Sequence, residues 1–173
     1  MNFGSIICDP EAWRTKATNL VAVASVLEPA FERFWEQRKV GRPWDDGQIA
    51  IYFMLCAFAL ENLMKASFVE RMIEEGSLFP GTENFPIELK CHNLIVLTQR
   101  CGKPELAEEH ASILQRLSRS AAWYGRYPAP ILPKDMNSLS TSPNGELVGL
   151  RGYATEDRED VMYLLKEFGF DSV

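Results

Sequence analysis

Residues 48–73 read QIAIYFMLCAFALENLMKASFVERMI, and this stretch decides the fold. It opens with an unbroken apolar run, Ile49 to Leu60, turns polar at Glu61, Asn62 and Lys65, and becomes apolar again through Phe68, Val69, Met72 and Ile73. A helix that is apolar on every side is buried among other helices, so these residues predict the central helix of a bundle. The run of 12 apolar residues is too short for a membrane span, which needs about 20. The first residues lack the charged-then-apolar pattern of a secretory leader. A cytoplasmic protein without a membrane anchor is expected.

Working outward, Asp9-Pro10 is a helix start, with Asp as cap and Pro in the first turn. Helical spacing carries Ala12, Trp13, Ala17, Leu20, Val21, Ala24 and Leu27, and Pro29 either kinks or splits the element before it ends at Gly41-Arg42-Pro43. Asp45 with Gln48 resembles a capping box, and Gly76 stops the central helix after about Glu75. A loop spans Phe79 to Pro86. A third helix is expected over about Ile87 to Cys101, and a fourth from Pro104 to before Pro128, carrying His110 within its apolar stripe. Pro128, Pro130, Pro133 and Pro143 stud an irregular arm, with a short hairpin expected between Glu146 and Tyr153. Thr155 is read as the cap of a last helix. The expectation is one all-α domain over residues 1–173, a four-to-five-helix bundle with a long irregular arm before a short C-terminal helix.

A net charge of -6 removes any global basic field for nucleic acid, so such binding would need a local patch. Four cysteines without Cys-x-x-Cys spacing, and two histidines, do not make a zinc site; the thiols are expected reduced, with no metal and no cofactor.

Chemistry concentrates in a few places. Glu61 and Lys65 share a helix face: either a charge pair at a ligand pocket, or a simple i,i+4 pair. His92, beside Asn93, is either a general base or phosphate contact, or a hydrogen-bonded structural histidine. His110 reads as a core histidine. Arg116, Arg119 and Arg126 fall within roughly an 80° sector of one helix. Trp123, Tyr124 and Tyr127 follow them, a combination able to hold phosphates and stack bases, or else a solvated edge beside core aromatics. Trp13, Trp35 and Trp44 suit either a partner surface or the core. No phosphate loop or nucleophile elbow is present.

Ala59-Leu60-Glu61-Asn62-Leu63-Met64-Lys65-Ala66, then His92-Asn93-Leu94, then Trp123-Tyr124-Gly125-Arg126-Tyr127-Pro128 resemble the HEPN superfamily of helical bundles, over about residues 45–130. The resemblance implies a homodimer with a cleft between protomers. It implies membership of bacterial defence or toxin–antitoxin type systems, as ribonucleases or as non-catalytic modules that bind nucleotides or partner proteins. Catalytic members carry an Arg followed four to six residues later by a His; neither His92 nor His110 has such an Arg here. A non-catalytic or divergent module is therefore expected, binding a nucleotide, RNA or another anion through Glu61, Asn62, Lys65, His92, Arg119, Arg126 and Tyr127. The alternatives are a metal-independent ribonuclease and a pure interaction module with a cognate partner protein. The arm, residues 129–154, is a candidate for packing across the dimer.

Overall fold

The structure is a computed structural model that describes residues 3–40, 47–124, 126, 139–141, 147–149, 153 and 156–170. Several expectations lie outside the described residues: the stop at Gly41-Arg42-Pro43, Trp44, the Asp45 half of the capping box, Gly125, Tyr127, the side chains of Trp123 and Tyr124, most of the arm, and Thr155.

The fold is all-α. Its axis is the expected helix, α4 (Gly47–Glu74), 28 residues long. Length and composition alone would let α4 cross a membrane, but most of its apolar residues are buried against other helices. It ends at Gly76, whose φ of 69° is the left-handed value that favours glycine, and Ser77 and Leu78 donate back to Met72 O.

Before it come α1 (Phe3–Ile7), α2 (Pro10–Ser25) and α3 (Glu28–Lys39). The Asp9 carboxylate accepts from Glu11 N at 3.0 Å, so the cap works as read. The chain splits ahead of Pro29, which then sits in the first turn of α3, where its missing N–H costs nothing. Helix α1 leaves no periodic signal in the sequence, because its five residues are too few to show one.

The expected third helix is two pieces. A 3-10 turn covers Ile87–Lys90, and α5 spans only Leu94–Arg100. Asn93 divides them: its side chain accepts from Ile95 N and Val96 N, so it caps α5 instead of continuing a helix from Ile87. The expected fourth helix also divides, at His110, into α6 (Pro104–Glu109) and α7 (Ala111–Arg119), and then widens into a π turn at Ser120–Tyr124. His110 is accordingly half-buried at a joint, its ring 5.3 Å from Tyr163, and not inside a continuous stripe.

In the arm, Leu139–Thr141 pairs antiparallel with Leu147–Gly149. The hairpin thus begins upstream of Glu146, and the stretch read as both its strands supplies one. Helix α8 (Asp157–Glu167) closes the bundle with Val161, Leu164 and Leu165 fully buried. Tyr153 stacks on Phe53, ring centroids 4.2 Å apart. Around it, Phe31, Tyr52 and Phe53 pack edge to face or tilted, the arrangements aromatic quadrupoles favour.

Candidate functional site

Phe58, Glu61, Asn62 and Lys65 recur at spacings of three and four, so they line one face of α4. Lys65 is 3% exposed and Glu61 7%. The Lys65 ammonium donates to Glu61 Oε1 at 2.6 Å, and Trp13 lies beside it, ring centroid 5.9 Å away. Two charges this deep must pair, because stranding either one in the interior costs several kcal/mol. Asn62 donates from Nδ2 to Phe58 O at 2.6 Å, one turn back on the same face.

His92 meets this pair from the other side. Its Nδ1 lies 3.0 Å from Glu61 Oε1 and 3.1 Å from Oε2. An ionised carboxylate only accepts, so Nδ1 carries the proton and donates. The ring itself is 72% exposed, which leaves its second nitrogen toward solvent. The link between the 3-10 turn and α5 holds it there: Cys91 and Asn93 are extended, and the buried Leu89 and Leu94 pin both ends. Asn93 in the middle of a helix would have turned His92 elsewhere, so the cap that breaks the third helix is also what delivers the histidine.

The basic edge is not one surface. Arg116 is buried, ion-paired to Asp157 of α8 and donating to Ser112 Oγ at 2.7 Å. Arg119 is half-buried in the last turn of α7. Arg126 is exposed, its guanidinium 4.8 Å above the Phe58 ring. The π turn accounts for Arg126, since beyond Arg119 the chain no longer advances 100° per residue, whereas Arg116 is held inward by Asp157 of α8. Glu61, Lys65 and His92 therefore converge in direct contact, Asn62 is beside them, and Arg126 stands one turn along α4.

Trp13 has a second environment that periodicity could not reveal. It lines, with Phe3, Ile6, Ile7, Phe85, Lys16 and Asn62, a cavity of about 310 Å³. Reading it from sequence required knowing that α1 folds back over α2. Gly4 is the one hint: a Cβ there would lie 2.6 Å from Thr82 O, so glycine alone lets α1 dock on that loop.

No family model, curated protein or solved structure matches this chain. Among the described residues, no group of three or more His, Cys, Asp or Glu is placed to hold a metal ion. The four thiols are unpaired, and burial pushes those of Cys56 and Cys101 up to about 12 and about 11. What the α4 face offers chemically is an oriented imidazole, an exposed guanidinium on an aromatic ring, and a neutralised ion pair beneath them.

Proposed function

We propose that the chain is a HEPN-like module that binds a phosphate-bearing ligand, a nucleotide or an RNA end, across the α4 face, in the setting of a bacterial defence or toxin–antitoxin type system. The observation that carries this is the exposed His92 ring held at Nδ1 by the buried Glu61. Lys65 cancels the charge of Glu61, so the groups left facing solvent are the imidazole and the Arg126 guanidinium. Both donate to phosphate oxygens, and a guanidinium does so with two parallel bonds. The overall charge of -6 opposes nucleic acid at long range, which favours a short ligand over a long duplex. On this reading the chain also pairs with a second copy, which light scattering checks.

The test is thermal unfolding with ATP, AMP and a 5′-phosphorylated tetraribonucleotide. A ligand at a hundredfold excess over its Kd stabilises by about 2.7 kcal/mol. His92→Ala and Arg126→Ala should each reduce that shift, and the pair should remove it. Absence of any shift in the wild type refutes binding.

The Glu61–His92 contact also favours a second reading, metal-independent RNA cleavage, because a carboxylate-oriented imidazole is suited to proton transfer. Degradation of RNA in EDTA, lost in His92→Ala, would establish it; intact RNA would leave the binding module.

A further inference from the structure

The cavity beside Trp13 is built from fixed parts. The Trp13 indole N–H donates to Ile7 O at 3.1 Å, and the ring meets Phe85 at 59° with centroids 6.4 Å apart. Gly4 seats α1 against the backbone at Pro80 and Thr82, so the wall carried by α1 is anchored. At the mouth, Phe3 and Ile6 remain 50% and 49% exposed, apolar surface that water covers when the cavity is empty. At about 310 Å³ the space lies at the small end of the range for ligand pockets.

Besides the Trp13 indole N–H, which Ile7 O already engages, two side chains bring polar atoms to this lining, Lys16 and Asn62. The Asn62 amide nitrogen is already engaged by Phe58 O. Lys16 is exposed and forms no ion pair among the described residues, whereas its neighbour Arg14 is paired to Glu70 at 2.6 Å. An aromatic-walled cavity with one uncompensated cation at its edge has a definite complement. A nucleobase would bury several donors and acceptors against walls that cannot answer them. A neutral hydrocarbon would leave the ammonium unused.

We propose that this cavity is a binding site for a small monocarboxylate with an aromatic ring or a short hydrocarbon body. The body lies between Trp13 and Phe85, and the carboxylate pairs with Lys16. The site is independent of the phosphate reading, although Asn62 borders both.

The test uses 3-phenylpropionate and its uncharged amide, titrated calorimetrically into the full chain. The acid binds with 1:1 stoichiometry and raises the unfolding temperature; the amide binds about tenfold more weakly, the loss of one charge-assisted pair. Lys16→Met, a change at an exposed position, lowers the acid to the level of the amide and leaves the amide unchanged. Ala12→Leu, which fills the cavity from α2, removes binding of both while the circular dichroism spectrum stays that of the wild type. The proposal is overturned if the acid does not bind, if acid and amide bind equally, or if Lys16→Met keeps the preference. It is also overturned if the wild type is a dimer that Ile6→Asp dissociates and that ignores the acid, since a second copy would then own this surface.

Discussion

Asp157→Ala should be among the most destabilising single changes in this protein. Asp157 is fully buried at the first residue of α8, and its partner Arg116 on α7 is 1% exposed. Removing the carboxylate strands a guanidinium in the interior, which costs about 3–5 kcal/mol. The lost negative charge at the start of α8 adds about 0.3–1 kcal/mol. Set against the usual stability of about 5–15 kcal/mol, that is a large share. With a urea slope of about 2 kcal/mol/M, the unfolding midpoint followed by circular dichroism should fall by about 1.7–3 M. Arg116→Met strands the opposite charge and should cost about as much. The double variant Arg116→Met/Asp157→Leu strands nothing, and apolar replacement of a buried pair is often neutral or better. Its midpoint should therefore recover well beyond the sum of the single losses. A midpoint within about 0.3 M of the wild type for Asp157→Ala, or strict additivity in the cycle, would refute the argument.

Three further outcomes are expected. Gly76→Ala forces a Cβ into the left-handed region at φ 69° and should cost about 1 kcal/mol by urea titration; an unchanged midpoint would mean the helix end rearranges freely. Burial raises the Asp160 pKa above its ordinary 3.8, ahead of the opposing pull of His110 and Arg116. A raised folded-state pKa for an acid favours folding at low pH, and that contribution disappears as pH rises through the folded value. Asp160→Asn should then be more stable than the wild type at pH 7, with the gap narrowing as pH falls toward 3.8; a variant less stable at pH 7 would contradict this. Native protein treated with a thiol reagent at pH 8 should react at Cys8 and Cys91 well before Cys56, which is buried and holds its proton up to about 12. Early labelling of Cys56, read by peptide mass mapping, would show that the α4 core opens.

Legibility in the sequence followed the range of the interactions. Helix α4 was plain because an apolar run without charge has no other place in a folded chain. The Asp9 cap, the break near Pro29 and the stop at Gly76 are local events, each decided within about four residues. Asn93 is local too, yet its capping role was hidden by the apolar positions on either side, which suggest one helix from Ile87. Arg116 could not be placed from its own neighbourhood. It sits three residues from Arg119 with nothing nearby to distinguish them, and its carboxylate lies 41 residues further on. The Glu61–Lys65 pair follows from spacing alone, whereas the His92 contact closes a 31-residue separation and needed the loop path as well. The cavity beside Trp13 depends on α1 folding back, which no periodicity encodes.

The position of α8 bears on how the chain comes off the ribosome. Leu164 and Leu165 fill the same core as α4, and Arg158 reaches Glu28, 130 residues earlier, at 2.9 Å. Until those residues have been synthesised, part of the α4 surface has no cover. Domains fold as units during synthesis, and exposed apolar surface in the interval favours aggregation. Between the synthesis of α4 and that of α8 the nascent polypeptide therefore carries a partly uncovered central helix, and chaperone dependence in the cell would reflect that interval rather than any weakness of the finished fold.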